Sequence, residues 1–372
     1  MKFLYVLTVL GSLWAIRYVW HLLRQRAEPS TMLTTQEQQI IPTDALFPIP
    51  VNGKWGYMNS QKEVVITPAY FMANDFQEDR AIVQNLAYEP TYVRNYAVID
   101  ATGKTLTDQP YDRILDYSEG MAAVQKNEKW GFIDKQGKLV IPLQYEDAGY
   151  FSEGLACVKQ DGKNGFIDKR GTMVLKPQFE RACYVSTFKD GLAAVYTTYD
   201  NGPSGYIDHT GKFAFPPLFS FVEPFQDGLA LATSLETGKM GFINRQGKWV
   251  IEPTQYEDAH SFREGLATVA TLTADRTRWQ WRLIDTTGKT IAELPRYRSA
   301  GVFAQGLCAV QNEQKRGWGF IDRQGREVIP TNYAGLTSIF RNGLARMETG
   351  SLFGGLETVY ITQTGKVFWR GK

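Results

Sequence analysis

The stretch Ile133-Asp134-Lys135-Gln136-Gly137-Lys138 decides the fold, because its pattern recurs nine times along the chain. In each copy an apolar residue precedes a short polar one, and a glycine follows three residues later, or a lysine in the first copy. Successive copies lie 34 to 41 residues apart. Such a period predicts stacked units whose apolar faces are buried by their neighbours. The short polar residues are Asn59, Asp100, Asp134, Asp168, Asp208, Asn244, Asp285, Asp322 and Thr362.

One copy of the repeat has the signals of four short strands. Phe151-Ser152-Glu153-Gly154-Leu155-Ala156 sets an acid–glycine pair between apolar residues, which is typical of a tight turn between strands. The strand after this turn is 155–159. The next strand, 164–168, is turned by Lys169-Arg170-Gly171 into a third, 172–175. We expect the third strand to end at the proline that follows, because proline cannot donate to a ladder. A fourth strand is expected over 146–151.

Four antiparallel strands per period predict an all-β fold of about nine short sheet units. We expect these units to pack as β-propeller blades do, in a closed or an open array. The alternative is an open solenoid of β-hairpins. No break in composition interrupts the repeat, so we predict one array over 46–372.

The residues before the turn carry a family resemblance. Lys54-Trp55-Gly56-Tyr57, Lys129-Trp130-Gly131-Phe132 and Gly317-Trp318-Gly319-Phe320 resemble the signature of bacterial WG-repeat (KWG) proteins. The resemblance covers nearly everything after residue 45, and it implies a fold far more than an activity. It implies a structural role for Trp55, Gly56, Trp130, Gly131, Trp318 and Gly319.

Charge and cysteine content exclude some partners and sites. The chain has 41 Lys and Arg residues against 39 Asp and Glu residues, so no general field attracts nucleic acid and no nucleic-acid partner is expected. The three cysteines, Cys157, Cys183 and Cys308, lack metal or redox spacing and are predicted to be small buried side chains.

The N-terminal segment predicts a membrane anchor. Phe3 to Leu23 is mostly apolar and long enough to cross a bilayer as a helix, and no small-x-small cleavage pattern follows it. We therefore predict a hydrophobic anchor, or uncleaved signal, over 1–24 and a polar linker over 25–45. The expected location is a bacterial-type inner membrane. The family expectation places the array on the periplasmic or outer side, whereas the arginine distribution favours the cytoplasmic side.

Insertions concentrate in one loop of the repeat. Six residues separate Val124 from the tryptophan slot at Trp130, but this spacing grows to 9–13 residues in four other copies. Repeat geometry places equivalent loops on one rim, which is the predicted recognition surface. Its candidate binding residues are the aromatic and arginine side chains Tyr88, Tyr92, Arg276, Arg278, Trp279 and Phe353. The alternative is that these loops are tolerated surface insertions.

Other chemistry has weaker signals. The repeated tryptophans could stack on sugars, but their fixed phase within a strand favours core packing. The repeated aspartates could be catalytic acids or calcium ligands, but the first position of a hairpin turn favours a turn role. The basic stretch 276–282 could bind nucleic acid or an anionic glycan. No triad, phosphate loop or metal-binding motif occurs, so we expect no enzyme, no cofactor and no metal site.

The sequence therefore predicts a non-catalytic binding or scaffold module, tethered to a membrane through 3–23, that presents its variable loops to a protein or cell-envelope ligand. Binding of envelope polysaccharide through the aromatic repeats is one alternative. A hydrolase with paired carboxylates on the rim is another.

Overall fold

The computed structural model describes residues 41–85, 95–180, 186–197, 203–351 and 355–371, and within these ranges it is all-β. The predicted helix over 1–24 and nearly all of the predicted linker lie outside the described residues. No helix that could span a membrane occurs in the part of the chain that is described. The residues form two compact units, Pro42–Ser261 and Phe262–Arg370.

Within each sheet of the first unit, the strands pair antiparallel in chain order. The first two sheets contain β1 (Phe47–Val51), β2 (Lys54–Met58) and β3 (Val64–Tyr70), then β4 (Met72–Ala73), β5 (Ala81–Gln84) and β6 (Tyr96–Ile99). The next two contain β7 (Arg113–Ile114), β8 (Met121–Lys126), β9 (Lys129–Asp134) and β10 (Leu139–Tyr145), then β11 (Asp147–Ser152), β12 (Leu155–Gln160), β13 (Lys163–Asp168) and β14 (Met173–Phe179).

A six-stranded sheet follows in the same unit. It contains β15 (Ala193–Tyr196), β16 (Ser204–Ile207), β17 (Phe219–Val222), β18 (Ala230–Ser234), β19 (Met240–Ile243) and β20 (Trp249–Tyr256), and the unit ends after the short strand β21 (Asp258–Ala259).

The second unit has the same organisation. Its strands are β22 (Leu266–Leu272), β23 (Trp279–Asp285) and β24 (Thr290–Leu294), then β25 (Tyr297–Ala304), β26 (Leu307–Asn312), β27 (Trp318–Ile321) and β28 (Glu327–Tyr333), and finally β29 (Gly335–Leu336), β30 (Leu344–Ser351), β31 (Gly355–Thr362) and β32 (Val367–Gly371). Sheets of four antiparallel strands in chain order are the blades of a propeller architecture rather than the bare hairpins of a solenoid.

The predicted count of nine units is wrong, because the described strands form eight sheets. Ser204 of β16 pairs with Phe219 of β17, and this pairing joins two successive hairpins into the six-stranded sheet. The third strand of the earlier hairpin is reduced to a single bridge between Ile207 and Phe213. Pro216 and Pro217 follow that bridge, and pairing resumes only beyond them, at Phe219.

The hydrophobic core lies between successive sheets. Phe132 of β9 packs edge-to-face on Phe151 of β11 in the next sheet, with ring centroids 4.9 Å apart. Phe320 of β27 packs in the same way on Phe340, which precedes β30, at 4.8 Å. Each cluster thus buries aromatic rings contributed by two sheets, as the repeat period predicts.

The glycine of each Trp-Gly pair faces a bulge. Phe132 pairs with Ile141 and Trp130 pairs with Tyr145, so the single residue Gly131 faces three residues of β10. A Cβ atom on Gly131 would lie within 3.0 Å of the Ile141 carbonyl oxygen, too close for any other residue type without backbone movement. The same close approach to a carbonyl oxygen occurs at Gly56, Gly165, Gly241 and Gly319.

The prediction that the third strand ends at its proline is wrong. β10 continues through Pro142 to Tyr145, and β14 continues through Pro177 to Phe179. These are edge strands, and their pairing shifts register at the proline. A bulge on an edge strand does not need the missing N–H group, so the strand resumes on the far side of the proline.

Each Asp-x-x-Gly turn is closed by its aspartate, which confirms the predicted turn role. Oδ1 of Asp134 accepts hydrogen bonds from the backbone N–H groups of Gln136 and Lys138, both at 2.9 Å. Asn244 accepts the corresponding bonds with its amide oxygen. The second oxygen of the side chain is therefore not needed for the turn.

This geometry predicts acid sensitivity. Hydrogen bonds from the hydroxyl groups of Thr102, Thr210 and Thr287 lower the pKa values of Asp100, Asp208 and Asp285 below their ordinary value of 3.8. A lowered folded-state pKa stabilises the fold above about pH 4, and this stabilisation is lost as the pH falls through the folded pKa.

A triple variant with Asp100→Asn, Asp208→Asn and Asp285→Asn keeps the Oδ1 acceptors and removes the titration. We expect its free energy of unfolding in urea to fall less steeply than that of the parent between about pH 4 and pH 2. Parallel pH profiles of the two proteins would contradict this account.

Side chains also link successive sheets at the end where the acid–glycine and Asp-x-x-Gly turns lie, here called the turn end. The Glu119 carboxylate accepts hydrogen bonds from the N–H groups of Glu153 (2.6 Å) and Gly154 (3.0 Å) in the next sheet. It also lies 3.2 Å from Nζ of Lys169. Equivalent bonds join Glu78 to Gly120, Glu153 to Gly191, Glu264 to Gly306 and Gln305 to Gly343.

Candidate functional site: the loop end of the sheets

The opposite end of the sheets, here called the loop end, carries the hairpin connections that lead into the strand with the Trp-Gly slot, for example from β8 to β9. Where these connections are short, they are two-residue turns. Asn127 and Glu128 have φ angles of 50° and 62°, and Asp161 and Gly162 have φ angles of 51° and 76°. Two positive φ angles match the hairpin turn whose twist fits that of the strands.

The longer connections occupy the same position. Pairing of β22 with β23 continues as far as Leu272 and Trp279, and pairing of β30 with β31 continues to Ser351 and Gly355. In the other two long connections, the N–H of Asn85 donates to the carbonyl of Asn95 and the N–H of Thr197 donates to the carbonyl of Pro203. Insertions therefore lengthen equivalent hairpins, as their spacing along the sequence predicts.

The structure describes three of the six predicted binding residues. Tyr88, Tyr92 and Phe353 lie outside the described residues. Arg276 and Arg278 are exposed in the turn between β22 and β23. Trp279 is half-buried and packs against a core cluster that includes Trp281 and Tyr297, so only part of its indole faces solvent.

The turn that carries the two arginines is held by its own hydrogen bonds. The N–H of Thr273 donates to the carbonyl of Arg278 at 2.9 Å, and the N–H of Arg276 donates to the carbonyl of Thr273 at 2.7 Å. The Asp275 carboxylate accepts from the Thr273 hydroxyl and from the Thr277 N–H. These hydrogen bonds, chiefly the one from Thr273, lower the pKa of Asp275 to about 2.

The repeated tryptophans contribute to the sheets. Trp130 is 3% exposed in the cluster between the third and fourth sheets, so its indole face is not available to stack on a ligand. Trp55 and Trp318 are partly buried and pack against the equivalent clusters. Trp281 is buried and donates its Nε1–H to the carbonyl of Arg298 at 3.0 Å, which links β23 to β25.

Groups that could bind metal or act as nucleophiles are few. No group of three or more His, Cys, Asp or Glu side chains with metal-binding geometry occurs in the described ranges. Cys157 and Cys308 are buried free thiols, and burial raises the pKa of Cys308 to about 12, which disfavours the thiolate. Cys183 lies outside the described residues.

In addition to Arg276 and Arg278, the loop end has several basic residues that were not predicted from the sequence. Arg296 lies in the connection from β24 to β25, Arg298 is the second residue of β25, and Lys315 and Arg316 lie in the turn from β26 to β27. The N–H of Glu313 donates to the carbonyl of Arg296 at 2.9 Å, which brings the two connections together. These residues could have been predicted from the sequence, because basic residues recur in or beside the loop-end connections of consecutive sheets.

A protein-family model also matches most of the repeats. A model described as "WG containing repeat" matches eight segments: 55–85, 96–130, 130–163, 165–197, 205–233, 240–270, 281–315 and 318–353. The chain belongs to the WG-repeat family. Each match begins in the strand that carries the Trp-Gly slot. It extends at least as far as the strand that precedes this slot in the next repeat. No match begins at Thr358-Val359, where both signature residues are replaced.

The chain is similar to several solved structures at low sequence identity. A structure described as "the eukaryotic initiation factor" has a TM-score of 0.62 and 10% identity, and the alignment covers 88% of this chain and 95% of the other. Hsv2p of Kluyveromyces lactis has a TM-score of 0.39 and 11% identity over 66% and 89% of the two chains. The Dos1 propeller has a TM-score of 0.41 and 13% identity over 77% and 90%. No curated protein matches the sequence.

Proposed function

We propose that this WG-repeat chain is a non-catalytic scaffold whose loop end binds a protein ligand. The observation that carries the proposal is the contrast between the two ends of the sheets. At the turn end, the hairpins have nearly constant length and share the same closing and inter-sheet bonds. At the loop end, the equivalent hairpins range from two-residue turns to long extensions.

This contrast has a physical basis in the fold. Backbone, glycine and core requirements restrict the turn end, whereas a longer hairpin adds residues without disturbing the sheets below it. The loop 273–278 is ordered by its own hydrogen bonds, so its backbone loses little freedom when its exposed arginines contact a partner. Arginine and tryptophan are also the side chains that most often anchor protein interfaces.

The experiment exchanges the loop and keeps the sheet. Replacing residues 273–278 by the two-residue turn Asp161-Gly162 should change the free energy of unfolding by less than about 1 kcal/mol. Chemical crosslinking in the cells that produce the full-length chain should then lose the crosslinked protein partner. A matched control with Arg170→Glu and Gln246→Glu changes exposed residues at the turn end and should retain it.

Two outcomes would overturn the proposal. Loss of the partner in the control but not in the exchange would place recognition at the turn end. Retention of the chain on isolated envelope polysaccharide, with no protein crosslinked, would favour the polysaccharide alternative.

The tether to a membrane through residues 3–23 is part of the proposal, and it rests on their length and apolar character. Fractionation of the same cells tests it. The full-length chain should remain with membranes after a high-salt wash, and a chain without residues 1–26 should not. Equal release of both chains would contradict the tether. Reporters that are active only in the cytoplasm or only outside it, fused after Lys372, decide on which side of the membrane the repeats lie.

A further inference from the structure

Basic residues are concentrated at one place on the loop end of the second unit. The segments 273–278, 293–298 and 312–316, here called the basic corner, contain six bases and three acids. The bases are Arg276, Arg278, Arg296, Arg298, Lys315 and Arg316, and the acids are Asp275, Glu293 and Glu313. The corner therefore has an excess of three positive charges in a chain whose whole excess is two.

Direct contacts bring the three segments together. The Glu313 N–H donates to the Arg296 carbonyl, and the Trp281 indole donates to the Arg298 carbonyl. Trp279, which follows the first segment, packs with Tyr297 of the second in one cluster. The basic side chains thus belong to a single continuous surface formed by two consecutive sheets.

Two hairpins at the loop end of the first unit neutralise a base locally. Within a sheet, one residue of the neighbouring strand pairs with the residue in the tryptophan slot. In several sheets, the residue that follows this partner is an acid. Glu180 lies 3.3 Å from Nζ of Lys163, and Glu257 pairs with Lys239. At the equivalent positions, the two sheets of the basic corner have Pro295 and Ala334. The corner lacks the acid that compensates the bases elsewhere.

The acids of the corner offset its positive charge only in part. Asp275 accepts hydrogen bonds from Thr273 and Thr277 and interacts electrostatically with Arg278, whereas Glu293 pairs with Arg282, which lies outside the corner, at 3.5 Å. In the described part of the chain, no ion pair within 4.0 Å connects Arg278, Arg296, Arg298, Lys315 or Arg316 to an acid. A local excess of like charge favours a ligand of opposite sign.

We propose that the basic corner binds an acidic segment of a protein partner. This inference rests on the proposed function and deepens it by naming the chemistry of the ligand. Guanidinium groups form bidentate hydrogen bonds with carboxylates, and five of the six bases are arginines. Because the loops are closed by internal hydrogen bonds, little backbone freedom is lost when these groups bind a ligand.

Two other polyanions fit the corner less well. A lipid surface favours loops with large apolar side chains that enter the interface, and segments 273–278 and 312–316 have none. A single-stranded nucleic acid favours exposed aromatic faces for stacking, whereas Tyr297 is buried in the core cluster and Trp279 packs against that cluster with only part of its indole exposed. Carboxylates of an extended peptide need neither feature.

The test measures binding of a synthetic twelve-residue peptide of alternating Glu and Ser by fluorescence anisotropy. The full-length chain is used, in nonionic detergent because of its apolar N-terminal segment. One variant combines Arg278→Glu, Arg296→Glu and Lys315→Glu. A matched control combines Lys129→Glu, Lys163→Glu and Lys239→Glu, which makes the same change in net charge at the loop end of the first unit.

We expect the corner variant to bind the peptide at least about tenfold more weakly than the parent, and the control to stay within about twofold. Parent affinity should fall as salt is raised. Equal weakening in both variants, or no binding by the parent, would overturn the inference. So would corner-dependent binding of phosphatidylserine vesicles or of a twelve-residue oligodeoxycytidine that exceeds peptide binding.

Circular dichroism and the urea midpoint of each variant show whether it is folded before binding is compared. The inference and the proposed function can fail separately. If the corner variant binds the peptide normally while exchange of 273–278 still loses the protein partner, the inference fails and the proposed function stands.

Discussion

Gly131→Ala is expected to lower the free energy of unfolding by about 2–4 kcal/mol. The added Cβ would lie within 3.0 Å of the Ile141 carbonyl oxygen and of backbone atoms of Pro142. These atoms belong to the bulge of β10, so relief requires movement of the main chain rather than a change of rotamer. Urea unfolding of parent and variant measures the difference.

Gly162 provides a matched control, because its φ angle is 76° and an added Cβ would meet no atom within 4 Å. Gly162→Ala should destabilise by only about 1 kcal/mol, and Gly162→Asn by less, since asparagine tolerates a positive φ. At position 131, Asn should be worse than Ala. If Gly131→Ala were no more destabilising than Gly162→Ala, close approach would not explain the signature glycine.

Phe166→Ala is expected to lower the free energy of unfolding by about 3–5 kcal/mol. The ring is fully buried and packs on Phe188 at 5.2 Å and on Phe179 at 6.5 Å between ring centroids. Its removal leaves a cavity between the fourth sheet and the hairpin that follows. Local hydrogen exchange should therefore accelerate in β12, β13 and β15 together.

Val174→Ala on the adjacent edge strand is the matched control. Val174 is 46% exposed, so its truncation should change the free energy of unfolding by about 0.5 kcal/mol or less. A similar loss for both variants would contradict a core that lies between the sheets.

The sequence predicts local structure well where one residue determines it. The turn at Asp134 follows from the ability of a short carboxylate to accept backbone hydrogen bonds. Proline signals were less reliable, because Pro142 marks a bulge and not the end of β10. The distinction depends on the edge position of the strand, which is a property of the assembled sheet and not of the residues around the proline.

Features that depend on pairing between repeats could not be predicted from one repeat. The junction at Ser204 and Phe219 merges two hairpins because the intervening strand shortens before two prolines. The bonds of Glu119 to the following turn connect residues 34 and 35 positions away. Both require the relative position of successive sheets, which the period alone does not give.

The recognition surface was predictable in location but not in composition. Loop spacing identified the hairpin of Arg276 and Arg278, because insertions change sequence length. Arg296 and Arg298 lie at the start of β25, where no insertion changes the sequence length, and only the contacts of Glu313 with Arg296 and of Trp281 with Arg298 show that they share the surface. Local neutralisation of Lys163 by Glu180 likewise appears only in the folded chain.

Hydrogen–deuterium exchange on the full-length chain, alone and crosslinked to its captured protein partner, tests the central claim most directly. The account predicts slower exchange in the loop-end connections of the second unit, 273–278 and 312–317. It also predicts unchanged exchange in the turns at Asp134, Asp168 and Asp322. Protection of those turns with no change at the loop end would contradict a scaffold that recognises its partner through the variable hairpins.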